Sequence, residues 1–311
     1  MNLALWIVLA LFVLLFVLGV VLMCFASRRR KVRDPMDPEV LEHTDWNRFK
    51  DYIQTGIDWL SQHETEDLHV ISYDDKVLHA KFVPCEDAKG TVLLFHGYRS
   101  HYLVDFSLIL SWYHDRGFNL LLCDQRAHRE SQGKYITFGI RERYDVLSWV
   151  TYLSMVLGDD HPMILHGLSM GATTVLMASD TEFPANVCGI IADCGFTSPG
   201  DIMRHLVKRL YRLPARPVVA FMSLFTRLFA GYGMEEWSTV DALKEARYPI
   251  LLLHGLADDF VPSWMSRAAY DACTSEKTIV EVDGADHGRS YLVEPERCQR
   301  ELQAFLGRVM P

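Results

Sequence analysis

The 311-residue chain is poor in the features that mark several protein classes. Its seven cysteines, at 24, 85, 123, 188, 194, 273 and 298, form no CxxC pair and no metal-ligand spacing with histidine, so neither a disulfide framework nor a metal motif is legible. Cys123 and Cys188 fall inside apolar runs, where a thiol behaves as a small hydrophobe, and this usage suits a reducing compartment. There is no internal repeat and no low-complexity segment, which excludes solenoids and compositional tails. No acidic residue precedes Asp34, although acids outnumber bases 40 to 31 over the whole chain. Arg28, Arg29, Arg30, Lys31 and Arg33 cluster ahead of it. The remaining 26 basic side chains face all 40 acidic ones, so the body carries about −14, which argues against nucleic-acid binding.

Charge is missing altogether between Leu3 and Ala26. That run slightly exceeds the roughly 20 residues needed to cross a hydrocarbon core of about 30 Å, and it predicts one transmembrane helix over 3–26. A cleaved signal peptide needs a basic n-region and a small-residue cleavage site, and Met1-Asn2 supplies no side-chain charge. Cys24 follows Met23, where a lipoprotein acceptor cysteine has a small residue. The basic cluster places the body in the cytoplasm by the positive-inside rule, as a single-pass protein contacting membrane lipid through this helix. The alternative is that the arginines only dock on anionic headgroups and leave the side undecided.

Residues 27–66 form a basic juxtamembrane segment and then an amphipathic helix, with Trp46, Phe49, Ile53, Ile57 and Leu60 at helical spacing. From 67 to 311, apolar runs of strand length alternate with helical patterns. The strand candidates are 69–73, 77–83, 91–97, 118–124, 162–168, 187–193, 249–255 and 277–283. An opening pair followed by strand–helix alternation predicts an α/β domain, its mostly parallel sheet flanked by helices. Residues 197–243 break the rhythm with two helix-like stretches, either a small lid insertion or an ordinary packed pair.

GLSMG, Gly167 to Gly171, lies between the apolar run PMILH and the helix-forming ATTVLMAS. Glycines beside a nucleophile relieve a sharp turn and let strand and helix approach, so Ser169 is the candidate nucleophile. Serine needs a histidine base held by a carboxylate, in the chain order serine, acid, histidine. HGLADDFVP begins at His254 and GADHGRSY follows the last strand, which offers His287 as base and Asp258 or Asp259 as acid. Asp286 adjoins the base and is poorly placed to accept its Nδ1 proton. His96, His166 and His254 sit at strand ends beside glycines and read as structural hydrogen-bonding groups. Oxyanion donors are expected from the backbone N–H of Met170 and, after TVLLFHGYRS, that of Tyr98, whose aromatic ring has packing as its alternative role.

Residues 68–309 resemble the α/β-hydrolase family. HGY at 96–98 is similar to its oxyanion loop, GLSMG to its nucleophile elbow, HGLADDFVP to its acid segment and DHG to its base segment. That match selects Asp258 over Asp259. DQRAHRESQGKY at 124–135 resembles the family's DxRxHGxSxG stretch with Arg129 in place of the glycine, while ADCGFTSP and the lid look most like membrane-anchored bacterial hydrolases related to carboxylesterases and serine peptidases. The resemblance implies a serine hydrolase working through an acyl-enzyme, with no metal or organic cofactor. The leading expectation is a carboxylesterase acting on an acyl ester or other amphiphilic small molecule. A thioesterase or deacylase, a serine peptidase and a non-catalytic membrane adaptor are the alternatives.

Overall fold

A computed structural model of the chain describes residues 3–31, 34–37, 39, 47 and 49–311. Leu3–Ser27 is one helix, α1, apolar on every side. Most of its large side chains from Trp6 to Leu18 are exposed, but Met23, Ala26 and Ser27 at its end are buried against the body. The amphipathic helix is α2, Lys50–Ser61, which turns Ile53, Gly56 and Leu60 inward. Trp46, expected in the same helix, lies outside the described residues.

Eight strands then form one sheet among the described residues: β1 (Glu66–Ile71), β2 (Val77–Val83), β3 (Gly90–Phe95), β4 (Phe118–Asp124), β5 (Met163–Leu168), β6 (Val187–Asp193), β7 (Ile250–Gly255) and β8 (Lys277–Val282). Their order is β1-β2-β4-β3-β5-β6-β7-β8. The β1–β2 and β2–β4 pairs are antiparallel, and all the others are parallel. The opening strand runs three residues earlier at its start than 69–73. It stops at Ile71 because Ser72 N–H bonds Lys76 O at 2.8 Å around a turn with Asp75 at φ 58°.

Helices cover both faces: α3 (Tyr102–Asp105), α4 (Ser107–His114), α5 (Glu142–Leu157), α6 (Met170–Met177), α7 (Pro199–Tyr211), α8 (Ala215–Phe225), α9 (Thr239–Leu243), α10 (Trp264–Ala272), α11 (Ser290–Val293) and α12 (Pro295–Val309). Because side chains alternate along a strand, Val92 and Leu94 of β3 enter the core shared with α2, α4 and α12. Leu93 and Phe95 enter the core shared with α5, α6 and α10. Burial on both faces is why these strands read as unbroken apolar runs.

β3 lies between β4 and β5, so the chain leaves it in one direction and returns on the other side. That switch point sets the loop after β3 beside the loop after β5, with Phe95 opposite Gly167. The 197–243 stretch becomes α7, α8, a π-helical turn at Thr226–Ala230 and α9. Ile202, Val207, Val219, Met222 and Tyr232 pack with Met170, Phe138 and Val261 into a third core that also takes in Ala26 of α1.

α2 is held close by Gly56, where a Cβ would overlap the Ser107 side chain and stand 2.8 Å from its Cα. Gly56→Ala is therefore expected to cost about 1–3 kcal/mol, a drop of several degrees in Tm by thermal unfolding in detergent.

Candidate active site

Four loops meet at the C-terminal ends of β3, β5, β7 and β8. Ser169 joins β5 to α6 at φ 56° and ψ −114°, a strained conformation for a side chain-bearing residue. Its neighbours explain how the strain is held. A Cβ on Gly171 would overlap the carbonyl oxygen of Phe95, and one on Gly167 would overlap the Gly171 backbone. Ser169 N–H donates to Asp193 O at 2.8 Å, and Ser169 O accepts from Thr173 N–H at 3.0 Å, so the elbow is pinned at both ends.

His287 Nε2 lies 2.9 Å from Ser169 Oγ, and His287 Nδ1 lies 2.7 Å from Asp258 Oδ2. The other Asp258 oxygen accepts the N–H groups of Phe260 and Val261 at 3.0 and 2.8 Å. Burial works to raise the Asp258 pKa, but the hydrogen bonds of His254 and His287 outweigh it and hold the carboxyl at about 2. An ionised carboxylate only accepts, so Nδ1 of His287 carries its proton and Nε2 is left as acceptor for the serine hydroxyl. The same logic orients His254. Its Nε2–H donates to Val261 O at 2.8 Å and reaches Asp258 at 3.3 Å, while Nδ1 accepts from Ser266 Oγ at 2.6 Å.

The competing groups are elsewhere engaged. Asp259 is exposed and pairs with Arg209, and Asp286 pairs with Arg289 at 2.9 Å. His96 and His166 are buried, with Gly97 O and Tyr113 OH as partners at 2.8 and 3.0 Å, and burial pushes both down to about 3. Cys194 presents Sγ within 4.8 Å of ligand-type atoms of Asp258 and His287. Burial raises its pKa well above the ordinary thiol value, and both His287 nitrogens are already engaged.

Met170 opens α6 next to Ser169, and Tyr98 sits in the loop after β3. Among the described residues, neither backbone N–H has a protein acceptor. Gly97 brings this loop close, since a Cβ there would stand 3.3 Å from Ser169 Cβ. The Tyr98 side chain has work of its own: its hydroxyl donates to Ala26 O at 2.7 Å, and its ring stacks on Phe138.

Several supports were not read from the sequence. Asp105 accepts Gly97 N–H at 2.6 Å and Ser100 Oγ–H at 2.6 Å, which fixes the loop from behind. Burial lifts its carboxyl to about 6 against those two donors. His128 Nε2 accepts Arg99 N–H at 3.0 Å. The only signal for Asp105 is a lone acid in the apolar run YLVDF. Arg129 takes φ 35°, the region that its family glycine would favour, and its carbonyl accepts from Arg29.

The loops enclose a cavity of about 660 Å³ beside Ser169. Phe49, Tyr52 and Ile53 wall it on the α2 side, with Val104, Phe260 and Leu292 among its other apolar surfaces.

A nucleophile elbow on a mostly parallel, helix-flanked sheet defines the hydrolase class, and the model of the alpha/beta hydrolase family matches residues 92–300. The chain belongs to that family. It is 27% identical over 234 residues to the uncharacterized protein YqkD of Bacillus subtilis, 75% of each chain. To the alpha/beta hydrolase domain-containing protein WAV2 of Arabidopsis thaliana it is 23% identical over 255 residues, 79% of this chain and 80% of WAV2. Among solved structures, an esterase of Pyrococcus furiosus matches with TM-score 0.66 and 23% identity over 80% of this chain and 93% of its own. A puromycin-hydrolyzing peptidase of Mycobacterium tuberculosis matches with TM-score 0.62 and 16% identity over 80% of this chain and 39% of its own. Likeness at these identities speaks for the fold.

A depressed carboxyl contributes stability above its unfolded pKa and loses it as pH falls through the folded one. The contribution of Asp258, from 3.8 to about 2, is worth about 2 kcal/mol at neutral pH. Asp258→Asn is expected to melt below wild type at pH 7, with the gap closing between about pH 4 and pH 2.

Proposed function

We propose that the chain is a membrane-anchored serine hydrolase that cleaves carboxylic esters. The observation that carries this reading is the continuous hydrogen-bonded line from Ser169 through His287 to Asp258, with the N–H groups of Tyr98 and Met170 unengaged beside it. Ser169 attacks the ester carbonyl while His287 Nε2 takes its proton. The tetrahedral oxyanion is bound by the two amides. His287 returns the proton to the leaving alcohol, an acyl-serine remains, and a water activated by the same histidine releases the acid. Asp258 keeps its charge throughout and stabilises the imidazolium.

Apolar walls suit an acyl chain. The arginines that line the cavity, Arg209 and Arg289, are each paired with a carboxylate, Asp259 and Asp286, which favours an ester over a peptide with a charged terminus. The Pyrococcus furiosus neighbour is an esterase, in keeping with this choice. For the anchor, Trp6–Ser27 is long and apolar enough to cross a membrane, and the basic residues after it favour the cytoplasmic side for the body by the positive-inside rule.

Full-length protein in detergent is expected to react with a fluorophosphonate probe, and Ser169→Ala and His287→Ala to lose labelling. Folded wild type that stays unlabelled would sink the hydrolase reading. Asp258→Asn is expected to lower kcat on p-nitrophenyl esters by about 10⁴. Across esters of rising acyl length, kcat/KM is expected to climb by roughly 0.8 kcal/mol per buried methylene, several-fold each, until the pocket fills. A flat profile from acetate upward would contradict an acyl-binding cavity.

A further inference from the structure

The stretch from Ile202 to Met234 holds six basic residues and no acidic one, in a chain of net charge −9. Arg204 pairs with Asp201 and Glu235 and Arg209 with Asp259, while Lys208, Arg212, Arg216 and Arg227 make no ion pair among the described residues. Leu210, Tyr211, Leu213, Leu224, Leu228 and Phe229 in the same stretch are exposed. Large apolar side chains interleaved with cations of one sign are the surface of an element that lies in anionic lipid.

The packing of α1 decides how deep that element sits. The Phe16 ring meets Phe225 at 5.5 Å and Phe229 at 6.1 Å, both edge-on. Gly19 lies so close to the Phe225 ring that a Cβ there would overlap it. N-terminal to this contact, α1 runs from Leu3 to Leu15, about 20 Å of helix. That length falls short of a hydrocarbon core of about 30 Å. A spanning α1 must therefore carry Phe16 and Gly19 inside the hydrocarbon, and Phe225 and Phe229 touch them there.

We propose that α8 and the π-helical turn after it form a membrane-embedded flap, with Leu224, Leu228 and Phe229 among the acyl chains of the leaflet that α1 enters and Arg212 and Arg216 at its headgroups. The inference rests on reading α1 as a membrane span. Arg227, between the embedded leucines, is long enough to reach the headgroup region, and its guanidinium lies over Gly233. The flap also names the substrate class. Arg209, which lines the catalytic cavity, directly precedes exposed Leu210, Tyr211 and Leu213, so the cavity mouth adjoins lipid. The ester comes from the leaflet and not from water.

The test uses full-length protein in vesicles of phosphatidylcholine and phosphatidylglycerol. Leu224→Trp and Leu228→Trp are compared with Met155→Trp, an exposed position on α5, for quenching by phosphatidylcholine brominated on its acyl chains. At least twofold stronger quenching at 224 and 228, measured as the difference from the parent protein, is expected. The Leu224→Glu, Leu228→Glu double variant should hydrolyse a long-chain ester embedded in the vesicles at least tenfold more slowly, with p-nitrophenyl acetate turnover unchanged. Equal quenching at 224, 228 and 155, in wild-type-like protein that resists alkaline carbonate extraction, overturns the flap and leaves the anchor standing. Extraction of wild type by carbonate removes the anchor and the flap with it. Quenching needs no turnover, so it decides the flap even where the hydrolase reading fails.

Discussion

The close approach of Gly171 to the carbonyl of Phe95 is the constraint on which the site depends. It presses α6 onto the end of β3, so the residue before it must turn through the positive-φ conformation that Ser169 adopts. The same contact brings the loop after β3 against the loop after β5. Gly97, just before Tyr98, then comes close enough that a Cβ there would stand 3.3 Å from Ser169 Cβ. Two packed elements and a missing Cβ thus hold a strained backbone that the serine alone would not keep.

Around the elbow, buried charge is arranged by the number of donors that face it. Asp258 gathers His254, His287 and two backbone amides and stays ionised. Asp105 has only Gly97 N–H and Ser100 Oγ–H, and burial lifts it to about 6. Asp258 fixes the tautomer of His287, and Asp105 braces the loop that carries Tyr98. Their different donor sets suit them to different tasks.

The end of α1 is hydrogen-bonded into the body. Ser27 Oγ and Tyr232 OH share a hydrogen bond at 2.7 Å, Ile136 N–H bonds Ser27 O at 2.6 Å, and Arg29 N–H bonds Lys134 O at 2.9 Å. Arg99 donates to Phe25 O and Arg28 O at 2.8 and 3.1 Å, which satisfies carbonyls at the end of the helix. Tyr98 and Arg99 belong to the loop after β3, so the end of α1 and the proposed oxyanion loop are one hydrogen-bonded unit. Arg29, in the basic cluster that opens the 27–66 segment, donates to the carbonyls of Arg129 and Ser131.

What the sequence determined by itself is local. Strand periodicity, the two glycines around Ser169 and the chain order of Ser169, Asp258 and His287 are all written in neighbouring residues or in strand ends, and the sheet brings strand ends together by topology. Distances across the fold are written nowhere in the chain. Asp105 under Gly97, His254 behind Asp258 and α2 as a cavity wall each depend on side chains meeting from separate elements. Only the tertiary structure decided that the apolar N-terminal helix enters the third core, because its long uniform run carries no face or polarity to say which end of it touches protein.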